Sequence, residues 1–547
     1  MTPIAHCGRR QTGRRRPEAA KDREERAIAD HAIRRRERDP RLDFFRGAAM
    51  LIILFAHIPV NGWTMWIPAR FGFSDATEIF VFCSGLASAL AFGTTFATRG
   101  WPLGAARIVH RVWQVYWAHV GVFLVTAALL VAIARSGVGV DDVNYLHRPL
   151  ITPFLDRTGE ALLGLLTLSY VPGLFDILPM YLVILAMIPV VMLLRSFGGG
   201  AAVAAFVLVV WLAANLAGWA RMAEEIVAAG GALGPLGSLA AAAGERFAWM
   251  NFPATPWGST IWYFNPFGWQ IVFFAGFAFG MGWLAPPPRS AALRCGAWTV
   301  LLLSVPLGWF RIHQGFWLPA DWALTQAVAG LRDAIEPLWW KTWSGALRVV
   351  HFLALAYVAW SLVGEKGARL SAPLPLPQPE GATRLRLGLA AAALAAALAP
   401  YGLAAEIKSV APALDAWALR NLPLAPPELT GWMSLALAVC VATALWCAAP
   451  ARAAAWLAHD GWFALVSTLR RVGSQSLAVF MTSIPLSVLC GLALDHLGQG
   501  LVALALVNLC GVAILVATAY LVAWVRDQPW RKPAPARQSI AARAPAE

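Results

Sequence analysis

The feature that most constrains this chain is a succession of apolar runs that recurs from residue 44 to residue 524. They lie near 44–60, 76–97, 112–134, 176–194, 201–219, 267–284, 291–310, 346–363, 385–402, 431–449, 475–494 and 500–524. A hydrocarbon core about 30 Å thick takes about 20 residues of α-helix to cross, and each run is of that order. Lipid offers no partners to backbone N–H and C=O groups, so runs of this length have to be helical. The expectation is an all-α polytopic membrane bundle of about 12 spans, or 10 if the pair at 385–449 is discounted. Composition agrees: 59% of the 547 residues are hydrophobic and 14% charged, against about 25% charged in soluble domains. A soluble enzyme, a disordered protein and a disulfide scaffold are excluded.

The net charge of +14 is placed for a membrane rather than for nucleic acid. Residues 1–46 hold 14 Lys/Arg against 8 Asp/Glu. Most other basic residues fall in alternate short loops: Arg99, Arg107 and Arg111, then Arg195, then Arg289 and Arg294, then Lys366 and Arg369, then Arg470 and Arg471, then Arg526. The positive-inside rule then puts both termini in the cytoplasm, with loops 135–175, 220–266 and 311–345 outside. Arg9-Arg10 and Arg14–Arg16 do not open a secretory signal, because about 25 charge-rich residues separate them from the first apolar run. The seven cysteines form no CxxC pair, and no metal-binding spacing occurs.

Five regions follow: a basic cytoplasmic arm (1–43), a membrane core (44–364), a linker with an inserted pair of spans (365–470), two last core spans (471–525) and a cytoplasmic tail (526–547). The linker opens on the proline-rich stretch Ser371–Pro379, a semi-rigid spacer.

The polar residues inside apolar runs carry the chemistry. Arg46 and His57 are eleven residues apart, three helical turns, so both project from one face about 16 Å apart along the axis. Arg46 can snorkel to the cytoplasmic headgroups, which leaves His57 within the membrane. An ionisable group there lines a polar cavity as a functional site, or it is a neutral imidazole bonded to a neighbouring helix; both readings stand. Asp75 and Glu78 open the second run with the spacing of a capping box, a structural role. The alternative is that Glu78, with Asp75, faces His57 and orients it. Arg111 opens the third run and either holds a phosphate-bearing donor or marks topology. His119 is a second imidazole in apolar surroundings with no partner evident from sequence, and His351, three residues after Arg348 near the start of the eighth run, is open to the same two readings. Trp257, Trp262, Trp269, Trp309, Trp317, Trp322, Trp339, Trp340 and Trp343 crowd the outer loops, as interfacial-belt residues or as platforms for sugar rings.

Arg46-x10-His57 at the opening of the first span resembles the signature of the membrane-bound acyltransferase family 3. The longer segments RDPRLDFFRG (38–47), FAHIP (55–59) and FGFSDATEIFVFCSG (71–85) resemble the OpgC family specifically. LPMYLVILAMIP (178–189), YFNPFGWQIVFFAGFAFG (263–280), RVVHFLALAYVAW (348–360) and RVGSQSLAVF (471–480) agree. The basic arm and the 365–470 insertion depart from the family pattern.

The resemblance implies transfer of a succinyl group from cytoplasmic acyl-CoA, a co-substrate rather than a bound cofactor, to hydroxyls of periplasmic glucans. His57 would be the base, Glu78 or Asp75 its orienting carboxylate, and Arg46 and Arg111 the donor-binding cations, with His119 and His351 in support. An acetyltransferase of another envelope glycan, or a transporter of a lipid-linked glycan, are the rival readings. No nucleic-acid partner is expected.

Overall fold

The computed structural model describes residues 39–147, 151–314, 321–364, 367–371, 388 and 457–531. Regular structure among them is helical, apart from one isolated antiparallel bridge between Pro253 and Ile261. Residues 1–38 of the basic arm, the apolar run 431–449 and, but for Gly388, the run 385–402 lie outside the described residues.

Helix α1 spans Pro40–His57 and starts where its sequence dictates. The Asp39 side chain accepts from the Arg41 N–H, and Pro40 supplies a pre-set φ at the first helical position. It ends at His57, where the Ile58 N–H donates to Leu54 and Pro59 has no N–H to continue. Val60 then takes φ 54°, unfavourable for a β-branched residue, and turns the chain.

Helices α2 (Ala76–Ser136) and α3 (Ile177–Ala228) have 61 and 52 residues. A straight 61-residue helix would be about 90 Å long, three times the hydrocarbon thickness. Each is broken by a glycine with positive φ, Gly100 at 79° and Gly199 at 65°. At Gly100 the chain doubles back: the Arg107 guanidinium donates to Thr95 Oγ1 at 2.5 Å and lies over the Phe92 ring, and the Phe96 ring packs on Gly104.

The remaining principal helices are α4 (Pro266–Met281), α5 (Ala291–Gly308), α6 (Ala346–Val363), α7 (Trp462–Ser474), α8 (Ser476–Leu497) and α9 (Leu501–Asp527). Among the described residues six helices are long and apolar enough to cross a membrane: α2, α3, α5, α6, α8 and α9. By the same measure α4 is a shorter apolar helix, and α1 carries Arg41, Asp43 and Arg46. The runs 76–97 and 112–134 lie on either side of Gly100, and 176–194 and 201–219 on either side of Gly199, as separate helical segments.

Two glycine crossings hold the bundle. An added Cβ at Gly47 would overlap the Leu469 carbonyl and one at Gly473 the Asp43 carbonyl, so α1 and α7 touch backbone to backbone. Gly85 meets Phe273 and Gly276 meets Phe82 in the same reciprocal way between α2 and α4. Such small residues let helices approach closely where lipid removes the hydrophobic drive for association. Gly276→Ala is expected to destabilise the protein by about 1–3 kcal/mol through overpacking. Gly121→Ala, which meets nothing within 4 Å, should be neutral or slightly stabilising. Thermal unfolding in detergent, followed by tryptophan fluorescence, compares the two; equal melting temperatures would refute the crossing.

Candidate active site

The C-terminal end of α1 and the N-terminal ends of α2, α3, α4 and α6 converge at one end of the bundle. They enclose a cavity of about 270 Å³, lined among others by His57, Asp75, Asp176, Tyr263, Phe264 and Lys341. Local sequence rules explain why these residues sit there. His57 closes α1, and Asp75 is the N-cap of α2, its Oδ1 accepting from the Thr77 N–H at 2.6 Å. Asn265 caps α4 through the N–H groups of Phe267 and Gly268, which carries Tyr263 and Phe264 to the rim.

Beneath the cavity lies a network of two acids and two bases. Lys341 Nζ donates to Asp75 Oδ2 at 2.6 Å. Arg348, from α6, donates through Nε to Glu78 Oε1 at 2.8 Å, and its NH2 lies 2.6 Å from the same oxygen. Arg348 NH2 also reaches Asp75 Oδ2 at 3.7 Å, so the two pairs share a centre. Glu78 Oε2 accepts the Asp75 N–H at 2.8 Å, which completes the capping box. Burial opposes the charge on Asp75, but the Lys341 ammonium and the Arg348 guanidinium hold its carboxyl well below the usual carboxylate range. Aromatic faces shield both cations: Lys341 Nζ lies 5.4 Å from the Phe264 centroid, and the Arg348 guanidinium 6.0 Å from that of Trp269.

His57 stands apart from this network. Its Nδ1 is buried and has no hydrogen-bond partner among the described residues. The expected orientation of His57 by Glu78 is not what the contacts give. Both Glu78 oxygens are taken, one by Arg348 and one by the Asp75 N–H, because a fully buried carboxylate is held by the strongest donors within reach. Asp75 shares the cavity with His57 but is committed to Lys341.

The other expected site residues are dispersed. Arg46 does not snorkel: it is 7% exposed and donates to the Cys83 carbonyl at 3.0 Å, as α2 lies against its face of α1. Arg111 is half-buried on α2, donates to Gln114 at 3.2 Å and does not line the cavity. His119 is fully buried beside the Phe175 backbone, one residue before Asp176. His351 is bound to the turn that leads into α2: its Nδ1 accepts from the Ser74 N–H at 3.3 Å and lies 2.7 Å from Ser74 Oγ, and Gly72 packs on its ring. Of the outer-loop tryptophans, Trp262, Trp269, Trp309 and Trp343 are buried packing residues and Trp322 is exposed.

Sequence reasoning passed over Lys341, Asp176 and Tyr263 and noted Arg348 only as a neighbour of His351. One signal was available. Lys341 and Arg348 lie at the outer loop 311–345 and the start of the following helix, on the side where the positive-inside rule leaves few basic residues. A cation on that side needs a carboxylate or a substrate to explain it.

At the opposite end of the bundle, α1, α7 and α9 border an open cleft of about 350 Å³. Arg470, Arg471 and Arg526 line it together with Asp43 and Asp527.

No curated protein and no solved structure matches this chain. The family described as OpgC protein matches residues 38–378 and 377–527, a coverage that takes in every element of both the cavity and the arginine cleft. The chain belongs to the OpgC protein family.

Proposed function

We propose that this protein is a membrane O-acyltransferase that moves an acyl group, succinyl in the first instance, from acyl-CoA to a hydroxyl of a periplasmic glucan. The observation that carries the reading is His57. It is an imidazole with a partnerless buried nitrogen, lining a cavity beside a closed ion-pair network, in a chain of the OpgC family.

His57 accepts the proton of the acceptor hydroxyl as its oxygen attacks the thioester carbonyl carbon. The C–O bond forms, the C–S bond breaks, and the leaving thiolate takes the proton back from the imidazolium. Neutral imidazole suits this role because it both accepts and returns a proton near neutral pH. Lys341, the cation that lines the same cavity, faces the negative charge that develops on the carbonyl oxygen. The Asp75–Lys341 and Glu78–Arg348 pairs hold that cation in position, so the acids act on the frame and not on the imidazole. The donor's phosphates belong at the arginine cleft, since guanidinium groups match phosphate geometry. On this reading the arginine end is cytoplasmic and the cavity end periplasmic, in the bacterial inner membrane.

The test uses the full chain in nanodiscs with succinyl-CoA and a glucose oligosaccharide. Free thiol and succinyl ester on the sugar should appear in equal amounts. Sugar translocated across vesicles without thiol release would instead support a transporter. Thiol release from acetyl-CoA but not succinyl-CoA would keep the mechanism and change the donor.

A further inference from the structure

Two carboxylates line the His57 cavity, and they are in opposite states. Asp75 is engaged by Lys341. Asp176 is 3% exposed, and its Oδ2 is buried without a hydrogen-bond partner among the described residues. Asp176 precedes α3, where an aspartate ordinarily caps the helix with its side chain, yet it makes no such bond. A buried carboxylate oxygen left unpaired is costly, so its retention in a cavity calls for a donor from outside the protein.

The surroundings select the donor. The charged and titratable groups facing the cavity are His57, Asp75, Lys341 and Tyr263, and the one cation among them is already paired with Asp75. An incoming ligand therefore meets Asp176 most favourably as a neutral hydroxyl donor, since an anion would be repelled and a cation would compete with Lys341. Tyr263 lines the same cavity with 49% of its surface exposed, an aromatic platform at the mouth. The backbone that presents Asp176 is rigid: Val171 donates to the Ala254 carbonyl at 2.9 Å, and Phe175 is buried edge-on against Phe123. A hydroxyl read from this carboxylate is consequently read at a defined position.

We infer that Asp176 and Tyr263 form the acceptor subsite, Asp176 taking a hydrogen bond from one sugar hydroxyl while Tyr263 stacks on the ring. The inference rests on the acyltransferase reading for its biological sense, but its first measurement does not depend on turnover. Binding of a glucose oligosaccharide to the resting protein should weaken about 10-fold in Asp176→Asn, because a neutral amide oxygen accepts a hydroxyl about half as strongly as a carboxylate. Against a panel of monodeoxy oligosaccharides, wild type should discriminate strongly at one hydroxyl, and Asp176→Asn should lose much of that discrimination. Tyr263→Ala, at a half-exposed position that tolerates substitution, should weaken all members of the panel alike and keep the preference. In turnover, Asp176→Asn should raise KM for the sugar far more than it lowers kcat. Unchanged sugar affinity in Asp176→Asn, or deoxy penalties that simply add to the effect of the substitution, would overturn the subsite. Intact sugar binding with no thiol release from any acyl-CoA would leave the subsite standing and remove the acyltransferase reading.

Discussion

His57→Gln is expected to lower acyl transfer about 100- to 10,000-fold while the protein still inserts, folds and binds its substrates, the usual contribution of a positioned general base. Glutamine keeps a polar group of similar reach but cannot take up a proton at any working pH. Nδ1 of His57 bonds to nothing among the described residues, so the substitution breaks no protein contact on which the fold relies. His57→Ala should be equally inactive, with a small cost from lost packing. The readouts are thiol release by the purified protein, succinyl ester on the glucan, and melting temperature in the same preparation. Activity retained in the glutamine variant would make His57 a packing residue and leave the cavity without its base.

The second large effect concerns stability. Arg348→Met should destabilise the protein by about 3–5 kcal/mol, because it strips the fully buried Glu78 of its cation. The double variant Arg348→Met with Glu78→Gln should recover most of that loss. An amide keeps the capping bond to the Asp75 N–H and carries no charge to strand. Lys341→Met should behave more mildly, since the freed Asp75 carboxylate keeps the Thr77 N–H and has the Arg348 guanidinium 3.7 Å away. Thermal unfolding of the single and double variants measures the coupling. A double variant no more stable than Arg348→Met alone would show that the arginine matters for its packing on Trp269 and not for the charge it balances.

The two halves of the ion-pair network differed in how far sequence revealed them. Asp75 and Glu78 are three residues apart, and their capping box was readable because it is a local device within one helical turn. Its structural reading and its catalytic reading were both open on sequence, and the contacts favour the first. The partners were not readable. Lys341 lies 266 residues from Asp75 and Arg348 270 residues from Glu78, and no periodicity spans such distances. Asp176 went unread for a related reason. At the start of an apolar run it looks like an ordinary helix cap, and only the absence of the capping bond distinguishes it.

By itself the sequence determined the all-helical, membrane-type character of the chain and the starts of several helices. It also marked His57 as the ionisable group within the first one. These follow from hydrophobic run length, from proline and capping residues, and from the order of residues along one turn, all of which act over short stretches of chain. The tertiary structure decided which carboxylate received which cation, that Arg46 was drawn in to the Cys83 carbonyl, and that the helices break at Gly100 and Gly199. Each of those outcomes depends on segments far apart in sequence being brought within contact in the bundle. There burial strengthens a charge pair and penalises every polar group that lacks a partner, and a one-dimensional pattern does not contain that competition.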